Sequence, residues 1–191
     1  VVPGYRAQVV DESGQLLPPG AVGKLAVIGP TGCKYLDEPR QKKYVVNGWN
    51  YPGDSFMMDA DGYFYYQARD DDMIITAGYN VAGPEVENCL AMHEAVAECA
   101  VIGKADEERG MLVKAYVVLK DVAAASDATR VALQDFVKAN LAPYKYPRQI
   151  EFVASLPRTE TGKLQRHRLR ERERNASAAS ASATAQEAKQ S

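Results

Sequence analysis

The run Pro157-Arg158-Thr159-Glu160-Thr161-Gly162-Lys163 gathers the residue types in this chain best suited to chemistry: a rigid proline, two hydroxyls, a glycine and one lysine, just ahead of a helix-like segment. Glycine lets the backbone fold close to a ligand, and threonines hydrogen-bond locally or to phosphate oxygens. An ammonium is a compact point charge that suits a carboxylate or a phosphate. A Walker-type phosphate loop is excluded, because Pro157 stands where its first glycine belongs and Leu164 follows the lysine where Ser or Thr is required. On residue types alone, a surface turn with a solvated lysine remains the plain alternative.

A second constellation joins Asp54 to Arg69. Asp61-Gly62 is a dipeptide favoured in two-residue type I′ hairpin loops, and such a loop puts position 54 directly opposite position 69 on one face. A carboxylate beside a guanidinium there is either an ion pair or a grip on a vicinal diol such as a ribose, with the arginine covering adjacent oxygens. Two other acidic groups carry no metal expectation. In Asp59-Ala60-Asp61-Gly62, read as a calcium loop, the first and twelfth ligands would be Met57 and Ala68, so no carboxylate opens or closes it. Asp70-Asp71-Asp72, read as extended chain, would point its side chains to alternate faces.

The elements that must hold these groups follow from periodicity. The first seventy residues read as β structure: Tyr5 to Val10, a turn at Asp11-Glu12-Ser13-Gly14, Gly23 to Ile28, and a hairpin of Ser55 to Asp59 with Tyr63 to Ala68. A short strand is expected at Met73 to Thr76. Gly83-Pro84-Glu85 then opens a helix with Val86, Cys89, Leu90 and His93 on one face, where His93 reads as a packed or boundary residue. Strands follow at Val96 to Ile102 and Leu112 to Leu119. A second helix starts near Ser126, carries Leu133, Phe136, Val137 and Leu141 on one stripe, and stops at Pro143 before a strand at Gln149 to Val153. The order from residue 73 is β-α-β-β-α-β, a split βαβ arrangement.

The expected fold class is therefore α+β. Residues 1–70 form a β-rich subdomain, part of a β-barrel, and residues 71–170 a small α+β domain with a central sheet flanked by helices. Residues 171–191 form a tail, which is Ala/Ser-rich from Asn175 on and cannot offset its ordering entropy, so it is expected to be disordered. Arg166, Arg168, Arg170, Arg172 and Arg174 punctuate a solvated terminal helix, with His167 a surface residue and Glu171 and Glu173 interleaved.

The 191 residues, 46% apolar, carry a net charge of −2, which predicts no nucleic-acid footprint, and no apolar run approaches the roughly 20 residues of a membrane span. Cys33, Cys89 and Cys99 are odd in number and far apart, which argues against a disulfide framework or zinc site and for a reducing cytoplasm. Val1 in place of methionine, running straight into strand-like sequence, gives the look of a piece of a longer protein.

In order and spacing, Gly23-Lys24-Leu25, Trp49 to Asp54, Asp61-Gly62-Tyr63, Arg69-Asp70-Asp71, Gly78 to Glu87, Tyr144-Lys145-Tyr146-Pro147 and Pro157 to Lys163 resemble the motifs of the adenylate-forming acyl-CoA synthetase superfamily. Residues 77–87 look most like the aryl-CoA ligases of the benzoate and 2-aminobenzoate type. The resemblance implies an ATP-dependent acid–thiol ligase that joins a carboxylate to AMP and then passes the acyl group to coenzyme A. It implies that Lys163 is catalytic, that Asp54 and Arg69 bind the nucleotide ribose, and that Asp71 is a hinge. By the same resemblance Thr76, Ala77, Gly78 and Tyr79 line the coenzyme A tunnel after domain rotation. The phosphate loop, the adenine pocket, the acid pocket and the Mg2+ ligand belong to an N-terminal region that this chain lacks, so the isolated chain is expected to be inactive. Pro52, Ala68 and Asn80 depart from the family pattern, where threonine, glycine and arginine are usual. Two other readings stay open: an adenylation module of a peptide synthetase, for which no carrier sequence follows Lys163, and a non-catalytic binding module.

Overall fold

A computed structural model of the chain describes residues 1–30, 32 and 41–187. Cys33 lies outside them. The chain divides into two compact units, Val1–Met73 and Ile74–Ser191. The mixed α+β class expected from the sequence is the one observed.

The first unit is an open sheet built from β1 (Arg6–Val10), β2 (Val22–Ile28), β3 (Val45–Val46), β4 (Trp49–Asn50), β5 (Asp54–Met58) and β6 (Phe64–Arg69), with the one-turn helix α1 (Gln41–Tyr44) before β3. The strand order is β3-β4-β2-β5-β6, with β1 paired to β2. Val9, Val10, Ala26 and Ala68 are fully buried in it. Sequence analysis did not foresee α1, β3 and β4. The signal was there in Asn47-Gly48, whose φ values of 51° and 81° are those of a type I′ hairpin turn.

The Asp61-Gly62 loop differs from expectation in an instructive way. The Asp59 N–H donates to the Tyr63 carbonyl at 3.0 Å and Gly62 N–H to the Asp59 carbonyl at 3.1 Å, so three residues rather than two lie between the paired positions. Only Gly62 has a positive φ (83°), as in a type I turn closed by a glycine bulge. The Asp59 carboxylate caps the loop by accepting from Tyr63 N at 2.8 Å and Asp61 N at 3.0 Å, and these backbone donations hold its pKa below the usual value. The one-residue slip is undone by a bulge: Phe56 faces Tyr66, but Ser55 faces Ala68. Asp54 ends opposite Arg69 after all.

The second unit contains β7 (Met73–Thr76), β8 (Tyr79–Ala82), α2 (Gly83–Ala91), β9 (Val96–Asp106), β10 (Gly110–Leu119), α3 (Asp127–Asn140), β11 (Gln149–Phe152) and α4 (Arg166–Glu187). This is the expected order with β8 added. β10 is central, antiparallel to β9 along its length, parallel to β11 over Lys114–Val117, and paired to β7 at Gly110. Alternation along β10 splits the core in two. Val113, Ala115, Val117 and Leu119 pack with Val86 and Leu90 of α2 and Leu133 and Val137 of α3, while Tyr116 packs on the other face with Ala100, Ile102, Leu156 and Leu169. His93 stacks edge-on against Phe136 at 5.1 Å, as a packed residue would. Ser126 caps α3 by accepting from Thr129 N at 3.1 Å.

Two expectations about the C-terminal segment need correction. The first is that the helix after Lys163 is solvated all round; Leu169 (4% exposed) and Glu173 (7%) lie one turn apart and are buried. The second is that the tail is disordered from residue 171, whereas α4 runs to Glu187. Alanine has the highest helix propensity, and a helix already anchored through Leu169 and Glu173 extends without a new nucleation cost. Residues 188–191 lie outside those described.

Ala77 and Gly78 join β7 to β8 with φ values of 49° and 82°, a type I′ pair with a non-glycine residue in its first position. An L-residue there is strained by about 1 kcal/mol, and Ala77 is exposed, so its methyl contributes no packing. Ala77→Gly is expected to raise stability by up to about 1 kcal/mol, or Tm by roughly 3 °C, in thermal unfolding followed by circular dichroism. A lower Tm would show that the methyl is needed.

Candidate functional site

Lys163 sits on a hairpin whose shape is fixed by its own bonds. Arg158 and Leu164 form an isolated antiparallel bridge, Thr159 N–H donates to the Lys163 carbonyl and Gly162 N–H to the Thr159 carbonyl, both at 2.9 Å. Gly162 supplies the left-handed residue, with φ 81°. The Thr159 hydroxyl oxygen accepts from Lys163 N at 3.0 Å and bonds the Thr161 hydroxyl at 3.0 Å, so these hydroxyls hold the turn together. The same loop, with the capping side chain four residues before the last position, occurs at Asp11–Gln15 and Asp59–Tyr63. A general-purpose hairpin turn thus presents Lys163. Its side chain is exposed, and its ammonium has no hydrogen-bond or ion-pair partner among the described residues.

Two arginines fasten this loop to the second unit. Arg158 donates to the Gly162 carbonyl at 2.7 Å and to Glu98 on β9 at 2.8 Å. Arg166, at the start of α4, grips both oxygens of Glu87 on α2 at 2.9 and 2.5 Å, and Glu87 also accepts from Val101 N at 2.8 Å. Sequence reasoning missed both anchors. Their partners lie 60 and 79 positions away, so no local spacing signals them.

In the first unit, Arg69 Nη1 lies 3.5 Å from Asp54 Oδ1, with Arg69 57% and Asp54 28% exposed. A pair this wet contributes about 0–1 kcal/mol to stability, which leaves both groups available to a ligand. Arg69 lines an open cleft of about 680 Å³ together with Lys24, Tyr44, Tyr51, Asp70 and Asp71, a volume in the range of small-molecule sites. Asp54 is not among its lining residues. Asp70, Asp71 and Asp72 form a turn of 3₁₀-helix rather than extended chain, and the Ser55 hydroxyl donates to Asp70 at 2.8 Å. No cluster of three or more His, Cys, Asp or Glu side chains among the described residues could hold a metal ion.

The remaining predicted site residues belong to the second unit. Thr76 (4% exposed) ends β7 opposite Gly110, and the Ala77-Gly78 turn is exposed. Tyr79 stacks on Tyr144 at 4.3 Å with 17° between the rings. Lys145, next to Tyr144, holds both oxygens of Glu85 at 2.6 and 2.7 Å.

Residues 85–163 match the family model of the AMP-binding enzyme C-terminal domain, a match that ends on Lys163 itself. Residues 85–163 belong to the C-terminal domain family of AMP-binding enzymes. Among the chain's relatives, the benzoate–CoA ligase of Thauera aromatica is 44% identical over 172 residues, which is 88% of this chain and 33% of that protein. A crystal structure of an anthranilate CoA ligase in complex with anthranoyl-AMP superposes with a TM-score of 0.77 at 38% identity, over 92% of this chain and 34% of that one. The ATP-bound MatB of Rhodopseudomonas palustris gives a TM-score of 0.73 at 34% identity, over 89% of this chain and 34% of that one. The chain therefore spans about a third of the length of the family members it matches. No helix among the described residues is long and apolar enough to cross a membrane.

Proposed function

We propose that the chain is the C-terminal part of an ATP-dependent carboxylic acid–CoA ligase that acts on an aryl acid of the benzoate or 2-aminobenzoate kind. The observation that carries this reading is the exposed ammonium of Lys163, unpartnered among the described residues, on a locked hairpin at the end of the AMP-binding domain match. In the first half-reaction a substrate carboxylate oxygen attacks the α-phosphate of ATP and pyrophosphate leaves. Lys163 bridges the two anions and stabilises the charge between them during transfer. Asp54 accepts hydrogen bonds from the ribose hydroxyls, and Arg69 covers the same sugar. In the second half-reaction the thiol of coenzyme A attacks the acyl carbonyl and AMP departs.

Asp71 is the hinge of this reading. Rotation of residues 71–170 about it withdraws Lys163 and brings Thr76, Ala77, Gly78 and Tyr79 to the thiol tunnel. Gly78 has open space where a side chain would stand, room for a pantetheine arm. Mg2+ belongs to the ATP it accompanies, held by residues upstream of this chain, and the enzyme works in the cytoplasm. The aryl preference draws support from the benzoate and anthranilate ligases among its relatives.

The complete enzyme is expected to release pyrophosphate with benzoate or 2-aminobenzoate and to yield the CoA thioester. Residues 1–191 alone are expected neither to turn over nor to bind ATP tightly in calorimetry. Tight binding by the isolated chain, or silence of the complete enzyme with every aryl acid, overturns the proposal.

A further inference from the structure

We infer that Arg158 is a positioning residue for Lys163, anchored by Glu98. This rests on the reading of Lys163 given above and adds to it the means by which the ammonium is aimed. The hairpin of residues 157–165 fixes its own shape, but internal bonds say nothing about which way it points from the domain. Its stems are seated by Leu156 and Leu164 in the small apolar cluster with Ile102, Tyr116 and Leu169. Such contacts resist separation more than they resist rotation. The guanidinium of Arg158 supplies the missing constraint.

One planar group makes two bonds in different directions. Its Nη1 takes the carbonyl of Gly162, the residue bonded to the Lys163 nitrogen, and its Nη2 takes Glu98 Oε2 on β9. The loop tip cannot swing about its stems without breaking one of the two, because the fork is rigid. The pair is exposed at 43% and 46%, so its worth to global stability is small. Arg166 with Glu87 is a different case. That pair is 21% and 12% exposed and ties α4 to α2, so its loss would unsettle the fold as well as the loop.

The test uses the complete enzyme with the half-reactions measured separately. Arg158→Gln is expected to lower kcat for acyl-adenylate formation about tenfold, since misplacing a catalytic group by a fraction of an ångström has effects of this order. KM for ATP should stay within about twofold and Tm within about 2 °C, with thioester formation from supplied acyl-adenylate unchanged. Arg158→Lys, which reaches only one partner at a time, should fall between the two. Glu98→Gln should lower the same kcat, and the double variant should be no worse than Arg158→Gln, the signature of one shared interaction. An Arg158→Gln enzyme that adenylates at the wild-type rate, while Lys163→Ala does not, overturns the inference and leaves the reading of Lys163 standing. Equal loss in both half-reactions with a lowered Tm also overturns it, in favour of a structural role. An active Lys163→Ala enzyme overturns both.

Discussion

Lys163→Ala in the complete enzyme is expected to cut acyl-adenylate formation by about 10²–10³-fold, the scale of removing one preorganised charge-stabilising group from a transition state. Thioester formation from a supplied acyl-adenylate should be largely spared. The asymmetry follows from the proposed chemistry: in it, only the first half-reaction brings a carboxylate and a phosphate together, and only there would a single cation between them lower the barrier. The fold makes the experiment clean. Lys163 is exposed, its ammonium has no partner among the described residues, and the turn is held by the backbone and by Thr159, so stability should change by no more than about 0.5 kcal/mol. Lys163→Arg keeps the charge but replaces a compact ammonium with a wide planar fork, and it is expected to stay well below wild type. Pyrophosphate release measures the first step, and CoA-dependent consumption of synthetic acyl-adenylate the second. Equal loss in both steps would show that Lys163 does not divide the labour in this way.

What the sequence revealed about this site depended on how far apart the interacting residues lie. The Lys163 hairpin was legible because its loop is local, with one capping side chain, one glycine and one closing pair inside five residues. The Asp54 and Arg69 pairing was reached through a two-residue turn that does not form. A three-residue loop shifts the register one way, and the bulge near Gln67 shifts it back. Periodicity could not distinguish these routes, since both put positions 54 and 69 opposite each other. The long-range anchors were illegible for the converse reason. Arg158 with Glu98 and Arg166 with Glu87 join elements that only the folded sheet and helices bring together, and nothing in the spacing marks them among the many charged residues of a solvated-looking surface. The same blindness covers α4. Arginines at every second position hide a helix face, because period two is not the helical repeat, and the buried residues Leu169 and Glu173 stand one turn apart between them.

Glu173 should prove the residue on which the second unit most depends. Its carboxylate is buried beneath α4, where it accepts from Lys114 Nζ at 2.6 Å and from the Tyr116 hydroxyl, with Lys104 Nζ 3.4 Å from its other oxygen. Lys114 also reaches Glu151 at 2.8 Å, so one ammonium on the central strand ties β11 and α4 to β10. Burial alone would push the Glu173 carboxyl up, but the bonds from Lys114 and Tyr116 outweigh it and hold its pKa below the usual 4.5. For Lys114, burial works to lower the pKa, and Glu151 and Glu173 outweigh it, holding the ammonium above the usual 10.5. Burial, and then the bond to Glu173, pushes the Tyr116 hydroxyl up to about 12. Removing the acid leaves a buried ammonium short of a partner, so Glu173→Ala is expected to cost about 3–5 kcal/mol. Glu173→Gln, which keeps an acceptor but not the charge, should cost less. The pH dependence has a definite sign. A carboxyl with a depressed pKa contributes stability that is present above about 4.5 and is lost as pH falls through the folded value, so the acid limb of the stability curve should flatten in Glu173→Gln. Tyr116 governs the alkaline side. Its folded form keeps the proton, so stability should fall as pH rises from 10 towards 12, by about 2–3 kcal/mol, and Tyr116→Phe should remove this share of the slope and leave that of Lys114, whose raised pKa acts in the same direction. Urea unfolding at a series of pH values measures both limbs. Unchanged acid sensitivity in Glu173→Gln would mean that the carboxylate does not clamp α4 to the sheet, and that contacts such as Leu169, the Arg166–Glu87 pair and the Arg172–Glu151 bond hold it instead.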